Sequence, residues 1–268
     1  MTSSLIITTY NWKKALELVL LSVLNQNLLP NEIIVADDGS SDDTKQLIEK
    51  IKKESNINII HSWQEDDGFR AASSRNKAIA KASGEYIILI DGDMILHPDF
   101  VKDHLNYAKE GLFIQGSRIL LTEEKSKCVL NNKQIIFSLF DWGLQNRKNR
   151  LKCSLLTNLA KRSNTSLKGI KTCNMSFFKK DCMAINGFNE DFIGWGREDS
   201  EFVVRLLNNG ILRQNIKFSA IAYHIFHNEN SRKMLAINDE ILNNAIVKKL
   251  KKCENGINKY SKDNSVII

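Results

Sequence analysis

Two hydrophobic periods alternate along the first hundred residues. Residues 5–9 are a short apolar, β-branched run that predicts a strand. Apolar side chains at 15, 16, 18, 19, 20, 21, 23 and 24 predict a helix buried on most sides. Pro30 marks a loop, and residues 32–36 predict a second strand. Ser40 with Asp43 three residues on has the form of a capping box, after which Leu47, Ile48 and Ile51 make one apolar helix face. Residues 57–61 predict a third strand, and 73–82 a helix stopped by Gly84. Residues 86–90 predict a fourth strand, apolar throughout and therefore central. Strands separated by helical segments need crossover connections, so the sheet is expected to be mainly parallel, in an α/β fold.

Beyond about residue 110 the rhythm loosens. Residues 113–119 read as a strand, 198–207 as a helix with apolar positions 202, 203, 206 and 207, and 219–224 as a late strand. Residues 122–170 are polar and lysine-rich, with 140–142 and 155–159 as the apolar anchors. From Arg232 the chain reads as helical and basic, with Lys248, Lys249, Lys251 and Lys252 close together. There is no internal repeat and no low-complexity linker.

Composition narrows the class. A chain of 268 residues allows one large domain or two small ones. With 43% apolar and 26% charged residues it is not a disordered chain, and 2 prolines and 13 glycines exclude collagen-like architecture. The apolar runs fall far short of the ~20 residues that span a bilayer. Lys13 and Lys14 follow the first apolar run instead of preceding it, so no secretory signal is read. Five cysteines without a C-x-x-C pair argue against a disulfide framework or zinc ribbon and fit a reducing cytoplasm. A net charge of +7 suits a nucleic acid, a phosphorylated ligand or an anionic membrane, and does not choose among them.

The chemistry follows the strands. Thr8-Thr9-Tyr10-Asn11, Asp37-Asp38-Gly39-Ser40, Asp66-Asp67-Gly68-Phe69-Arg70 and Asp91-Gly92-Asp93 each come after one of the four predicted strands. In an open α/β sheet the ligand lies at these carboxyl ends. Asp91 and Asp93, two residues apart on an extended segment, point the same way and suit Mg²⁺ or Mn²⁺ on substrate phosphates, although Asp-Gly also signals a turn. A turn and a helix cap account for Ser40 and one aspartate; the second carboxylate is free to accept from a nucleotide base or hydroxyl. Trp195, between Gly194 and Gly196, suits the apolar face of a sugar. Glu198-Asp199 then opens a helix, whose dipole favours ionised carboxylates. His224 and His227, three apart, face opposite sides of a regular strand and reach one metal only if the chain turns between them. At least one is expected to be a ligand.

In this order, these segments resemble the family-2 inverting glycosyltransferases of GT-A fold, with Arg75-Asn76 joining the third cluster. The second half resembles the acceptor region of chondroitin-polymerase-type enzymes and β-1,4-galactosyltransferases: Cys173-Asn174-Met175-Ser176-Phe177, Gly187-Phe188-Asn189-Glu190, and Gly194-Trp195-Gly196-Arg197-Glu198-Asp199. Arg197 stands where the family usually has glycine. The likeness covers about residues 4–230.

The resemblance implies a GT-A-like domain over 1–230, with a nucleotide-sugar half (1–110) and an acceptor half (111–230), followed by a basic helical tail over 231–268. Thr8, Tyr10 and Asp38 would hold the uridine of a UDP-sugar, and Asp67, Arg70 and Arg75 would lie along the diphosphate and donor sugar. Asp91 would contact the ribose or sugar. Asp93 would bind Mn²⁺ or Mg²⁺, completed by His227 or His224. Trp195 and Glu198 would bind the acceptor, a glycan or lipid-linked glycan, and Asp199 would be the catalytic base. A hexose or N-acetylhexosamine would be transferred with inversion, in bacterial surface polysaccharide or lipooligosaccharide synthesis, in the cytoplasm with peripheral contact to an anionic membrane.

Two rival classes are a sugar-phosphate nucleotidyltransferase and a nucleic-acid-binding module. The first would carry a glycine-rich basic loop after strand one, which residues 8–11 are not. The second is opposed by acidic clusters at the ligand edge and by the lack of interleaved aromatic and basic residues, so no nucleic-acid partner is expected.

Overall fold

The structure is a computed structural model and describes residues 1–138, 140–146, 149–228 and 231–260. It opens with β1 (Ser3–Thr9), α1 (Lys13–Leu24), β2 (Glu32–Asp37), α2 (Asp42–Glu54), β3 (Asn58–Trp63), α3 (Ala71–Lys81) and β4 (Tyr86–Asp91). Then come β5 (Met94–Leu96), α4 (Phe100–Tyr107), β6 (Leu112–Gln115), β7 (Ser117–Leu120), α5 (Glu123–Asn132), α6 (Ser154–Ala160) and β8 (Arg162–Asn164). The last elements are β9 (Asn174–Phe178), α7 (Lys179–Ala184), α8 (Glu198–Asn208), β10 (Leu212–Asn215), β11 (Ile221–His224), α9 (Leu235–Val247) and a 3₁₀ turn at Ile257–Tyr260.

The main sheet runs β3-β2-β1-β4-β9-β6-β10-β8. Its first four strands are parallel, as crossover helices require. β9 is antiparallel to both β4 and β6, and β10 returns parallel to β6. A smaller sheet, β5-β11-β7, stands beside it. Successive residues of β1 face opposite cores: Leu5 and Ile7 pack with Leu16, Val19 and Ile48, whereas Ile6 packs with Ala78, Ile79 and Phe202. Helices on both faces explain why β2 and most of β1 and β4 are buried at every position.

Several local expectations are corrected. Residues 113–119 are two strands in different sheets, β6 and β7, broken at Gly116, where a Cβ would lie 2.2 Å from Asn174 Oδ1. The α2 cap is Ser41; the Ser40 hydroxyl instead accepts the Asn11 N–H at 2.8 Å. α3 ends before Gly84, which is needed because β1 passes so close that a Cβ would sit 2.6 Å from Ser4 N. The apolar stretches at 140–142 and 155–159 do not anchor the segment, since Phe140, Leu155 and Leu159 are 94%, 74% and 81% exposed.

The clustered lysines 248–252 follow α9, which itself carries neither lysine nor arginine. α9 packs over the Gly-Trp-Gly turn, its Asn238 amide donating to the carbonyls of Ile193 and Gly196. Ile257 is wholly buried in the α3 face of the core. Residues 261–268 of the expected tail, and positions 139, 147 and 148 of the lysine-rich segment, lie outside the described residues.

Candidate active site

Parallel register brings the polar clusters together. Thr9 pairs with Asp37 across β1 and β2, and Thr8 with Asp91 across β1 and β4, so three clusters leave the sheet at one edge. A cleft of about 740 Å³ opens there. Among the residues expected in the site, only Asp67 and Arg70 lie outside its lining.

The two adjacent aspartates do different work. Asp37 is buried; its carboxylate accepts the Ser40 N–H at 2.8 Å and meets His61 Nε2 at 2.8 Å, which makes it a brace for the turn. Asp38 faces the cleft, accepting the Gln64 amide at 2.5 Å and the Arg70 backbone N–H at 2.8 Å. Burial pushes its carboxyl up to about 6, against those hydrogen bonds. Arg70 and Asp67 pair with each other on an exposed lip. Tyr10 is half-exposed at the rim, donating to Asp66 Oδ2 at 2.9 Å.

Arg75 is buried at the centre of the cleft floor. Its Nε donates to Thr8 Oγ1 at 3.2 Å, Nη1 to Glu198 Oε1 at 3.2 Å and Nη2 to Asp91 Oδ1 at 3.4 Å. The guanidinium expected along a diphosphate is therefore engaged by two carboxylates of the site. Burial raises the Asp91 carboxyl, and Arg75 opposes that shift.

Asp93 sits beyond Gly92, where a Cβ would meet Thr8 O at 3.0 Å. Its Oδ2 lies 3.4 Å from His224 Nε2 and 3.1 Å from His227 Nε2. β11 ends at His224, the Ile225 N–H still donates to the Asp93 carbonyl, and both imidazoles reach the same Asp93 carboxylate. The three ligand atoms lie within 4.8 Å of one another, and the buried Asp93 Oδ1 has no hydrogen-bond partner among the described residues. A buried orphan oxygen beside two imidazoles fits a divalent cation. The two rings hold the Asp93 carboxyl far below its usual range, and Asp93 pushes His227 up to about 9. Trp12 packs edge-on against His227, with ring centroids 5.8 Å apart.

Glu198 and Asp199 open α8 on the facing wall. The Asp199 Oδ1 accepts the Ser200 N–H at 2.6 Å and its hydroxyl at 3.2 Å. Desolvation and the Glu198 charge push the Asp199 carboxyl up to about 7, so burial outweighs the helix dipole expected to keep it ionised. Arg197, in place of the family's glycine, adopts φ +77°, a left-handed conformation that glycine takes without strain. Its Nε is held by Asp239 Oδ1 of α9 at 2.5 Å. Trp195 is 37% exposed, with the Arg232 guanidinium 5.7 Å above its ring.

Trp12, Arg118, Lys171 and Phe226 also line the cleft and were missed in the sequence. Trp12 directly follows the Thr8–Asn11 cluster, a signal that was available; Arg118 and Lys171 carried none.

The model of glycosyl transferase family 2 matches residues 4–166, and that of the N-terminal domain of galactosyltransferase matches residues 155–228. Over 244 residues the chain is 28% identical to chondroitin synthase of Escherichia coli, covering 82% of this chain and 34% of that protein. It is 30% identical to hyaluronan synthase of Pasteurella multocida, covering 82% of this chain and 24% of that protein. The chain thus spans roughly a quarter to a third of these relatives' length. The crystal structure of Staphylococcus aureus TarS 1–349 is similar in fold, with TM-score 0.63 at 17% identity over 97% of this chain and 68% of that one. Its complex with UDP-GlcNAc aligns with TM-score 0.58 at 19% identity, over 85% and 60%.

Proposed function

Because the chain belongs to glycosyltransferase family 2, we propose that it moves a hexose or N-acetylhexosamine from a UDP-sugar to a hydroxyl of a glycan or lipid-linked glycan, with inversion and with Mn²⁺ or Mg²⁺ bound. One observation carries this reading: a single cleft joins the Asp93–His224–His227 cluster to Asp199. The TarS structures with UDP and with UDP-GlcNAc support a UDP-sugar as donor. The nucleotidyltransferase and nucleic-acid readings are set aside on family membership.

In this mechanism Thr8, Tyr10 and Asp38 hold the uridine, and Asp91 the ribose or donor sugar. Asp67 and Arg70 form a lip over the diphosphate. Arg75 neutralises Asp91 and Glu198 so that carboxylates are tolerated close together. Asp93, His224 and His227 would hold the divalent cation. When bound, the cation supplies compensation for charge building on the departing diphosphate. Trp195 stacks on the acceptor sugar and Glu198 accepts from one of its hydroxyls. Asp199 takes the proton from the reacting hydroxyl as the C–O bond forms. A raised carboxyl suits a base that must bind a proton at neutral pH. Attack opposite the leaving group inverts the anomeric carbon, so an α-linked donor gives a β-linked product. One base suffices.

No helix among the described residues is long and apolar enough to cross a membrane. We further propose that the lysines at 248–252 touch an anionic membrane surface during surface-polysaccharide synthesis, at about 1 kcal/mol each. Flotation with anionic liposomes at low salt tests this, and absence of binding ends it. The main reading is tested by a panel of UDP-sugars with Mn²⁺ and glycan acceptors, scored by UDP release. At least one donor should turn over; no release with any donor would overturn the reading.

A further inference from the structure

Beside the cleft lies a second pocket of about 290 Å³. Its walls come from the β6–β7 turn, the approach to β9 and the end of β10, and none from β1 to β4, where the donor residues sit. Arg118, Lys171, Arg213 and Lys217 line it, and among the described residues no carboxylate does. The cleft holds the opposite charge, with Asp38, Asp91, Asp93, Glu198 and Asp199. Arg118, Lys171 and Cys173 line both, so the two spaces adjoin at these residues.

The cations are poorly compensated. Arg213 is buried; its Nη1 donates to the carbonyls of Ser166 and Lys168, and its buried Nε–H has no acceptor among the described residues. A guanidinium desolvated against neutral carbonyls and left one acceptor short is costly unless an anion shares the site. At the junction, the side-chain partner of Arg118 Nη1 among the described residues is the Cys173 sulfur, at 3.9 Å. A thiol is a weak acceptor, so a carboxylate or phosphate oxygen is a far stronger partner for this planar donor set.

We propose that this pocket is a subsite for an anionic group on the acceptor, a carboxylate or a phosphate, held by Arg118 and Lys171 away from the reacting hydroxyl. The proposal rests on the transferase reading above and deepens it by naming the acceptor class. An anion on the acceptor would be repelled by the carboxylate-rich cleft and is admitted only where the basic walls begin. Charge therefore orients the acceptor: its reacting end lies towards Asp199 and its anionic end beyond Cys173.

The test is calorimetric titration of the full chain with three oligosaccharides: one carrying a uronic acid, its carboxyl-reduced counterpart, and one carrying a phosphate monoester. UDP-GlcNAc with Mn²⁺ is titrated separately. At least one anionic oligosaccharide should bind about tenfold tighter than the neutral one, the scale of one charge-assisted hydrogen bond. The uronate and phosphate arms decide which anion is preferred. In R118Q/K171Q the anionic advantage should vanish, while Arg118→Lys keeps part of it. Equal affinity for all three by the native chain, or an advantage that survives in R118Q/K171Q, would overturn the proposal. So would an equal loss of UDP-GlcNAc affinity in that variant, which would place Arg118 and Lys171 on the donor diphosphate. Because binding is read without turnover, failure of the UDP-release panel and failure of the subsite are separate results.

Discussion

The Arg75 guanidinium, on α3, donates to the Glu198 carboxylate at the first turn of α8, 3.2 Å away and 123 residues later in the chain. The same guanidinium reaches Asp91 at the end of β4. One buried cation thus links the donor edge of the sheet to the wall that carries the proposed base. It also opposes the upward shift of Asp199.

Replacing Arg75 with methionine leaves Asp91, Glu198 and Asp199 without that charge. The acid limb of the pH–rate profile should move up by about one unit, the scale for loss of a nearby opposite charge. Turnover against pH, with circular dichroism to confirm folding, checks this. An unmoved limb in a folded variant would show that Arg75 does not act on Asp199.

Asp199 predicts two pH effects. As a base it must be ionised, so the rate should rise through about pH 7. Stability runs the other way. The unfolded chain loses this proton near 3.8 and the folded chain near 7, so the group favours folding fully below 3.8 and progressively loses that contribution as pH rises towards 7. Asp199→Asn should remove this slope in urea melts and lower turnover roughly 10²-fold or more. Glu198→Gln should chiefly weaken acceptor binding. Near-native turnover of Asp199→Asn with a dead Glu198→Gln would exchange the two roles.

Asp93→Ala should abolish both transfer and Mn²⁺ binding while leaving the melting temperature near that of the native chain, because the residue lies in the turn between β4 and β5 and contributes little to the core. Titration of Mn²⁺ into the variant reads this without turnover. Native-like cation affinity would remove the assignment.

The Glu201–Arg205 pair within α8 is buried on both sides, with two contacts of 2.7 Å and two further Arg205 bonds to the carbonyls of Ile185 and Gly187. Removing one partner leaves a buried charge uncompensated. Arg205→Leu should cost roughly 3–5 kcal/mol in denaturant melts. A loss below 1 kcal/mol would mean that water reaches the site.

Local pattern alone determined the strand–helix alternation from β1 to β4 and the placing of polar clusters after each strand. Apolar periodicity is a property of neighbouring residues, and parallel strands put their carboxyl ends on one edge. What lay outside that reach depended on contacts between distant segments. Asp37 and Asp38 look alike in sequence; only His61 and Gln64, arriving from β3 and the loop after it, make one a brace and leave the other facing the cleft. β9 and β10 are too short and mixed to announce themselves, and pairing with β4 and β6 decides them. His224 and His227 would diverge on a regular strand, but β11 ends at His224 and both imidazoles converge on the Asp93 carboxylate. The helix start favours an ionised Asp199, but desolvation and the Glu198 charge hold its proton. Dielectric and distance are set by the packed chain, so that balance was decided only when α3, β4 and α8 met around Arg75.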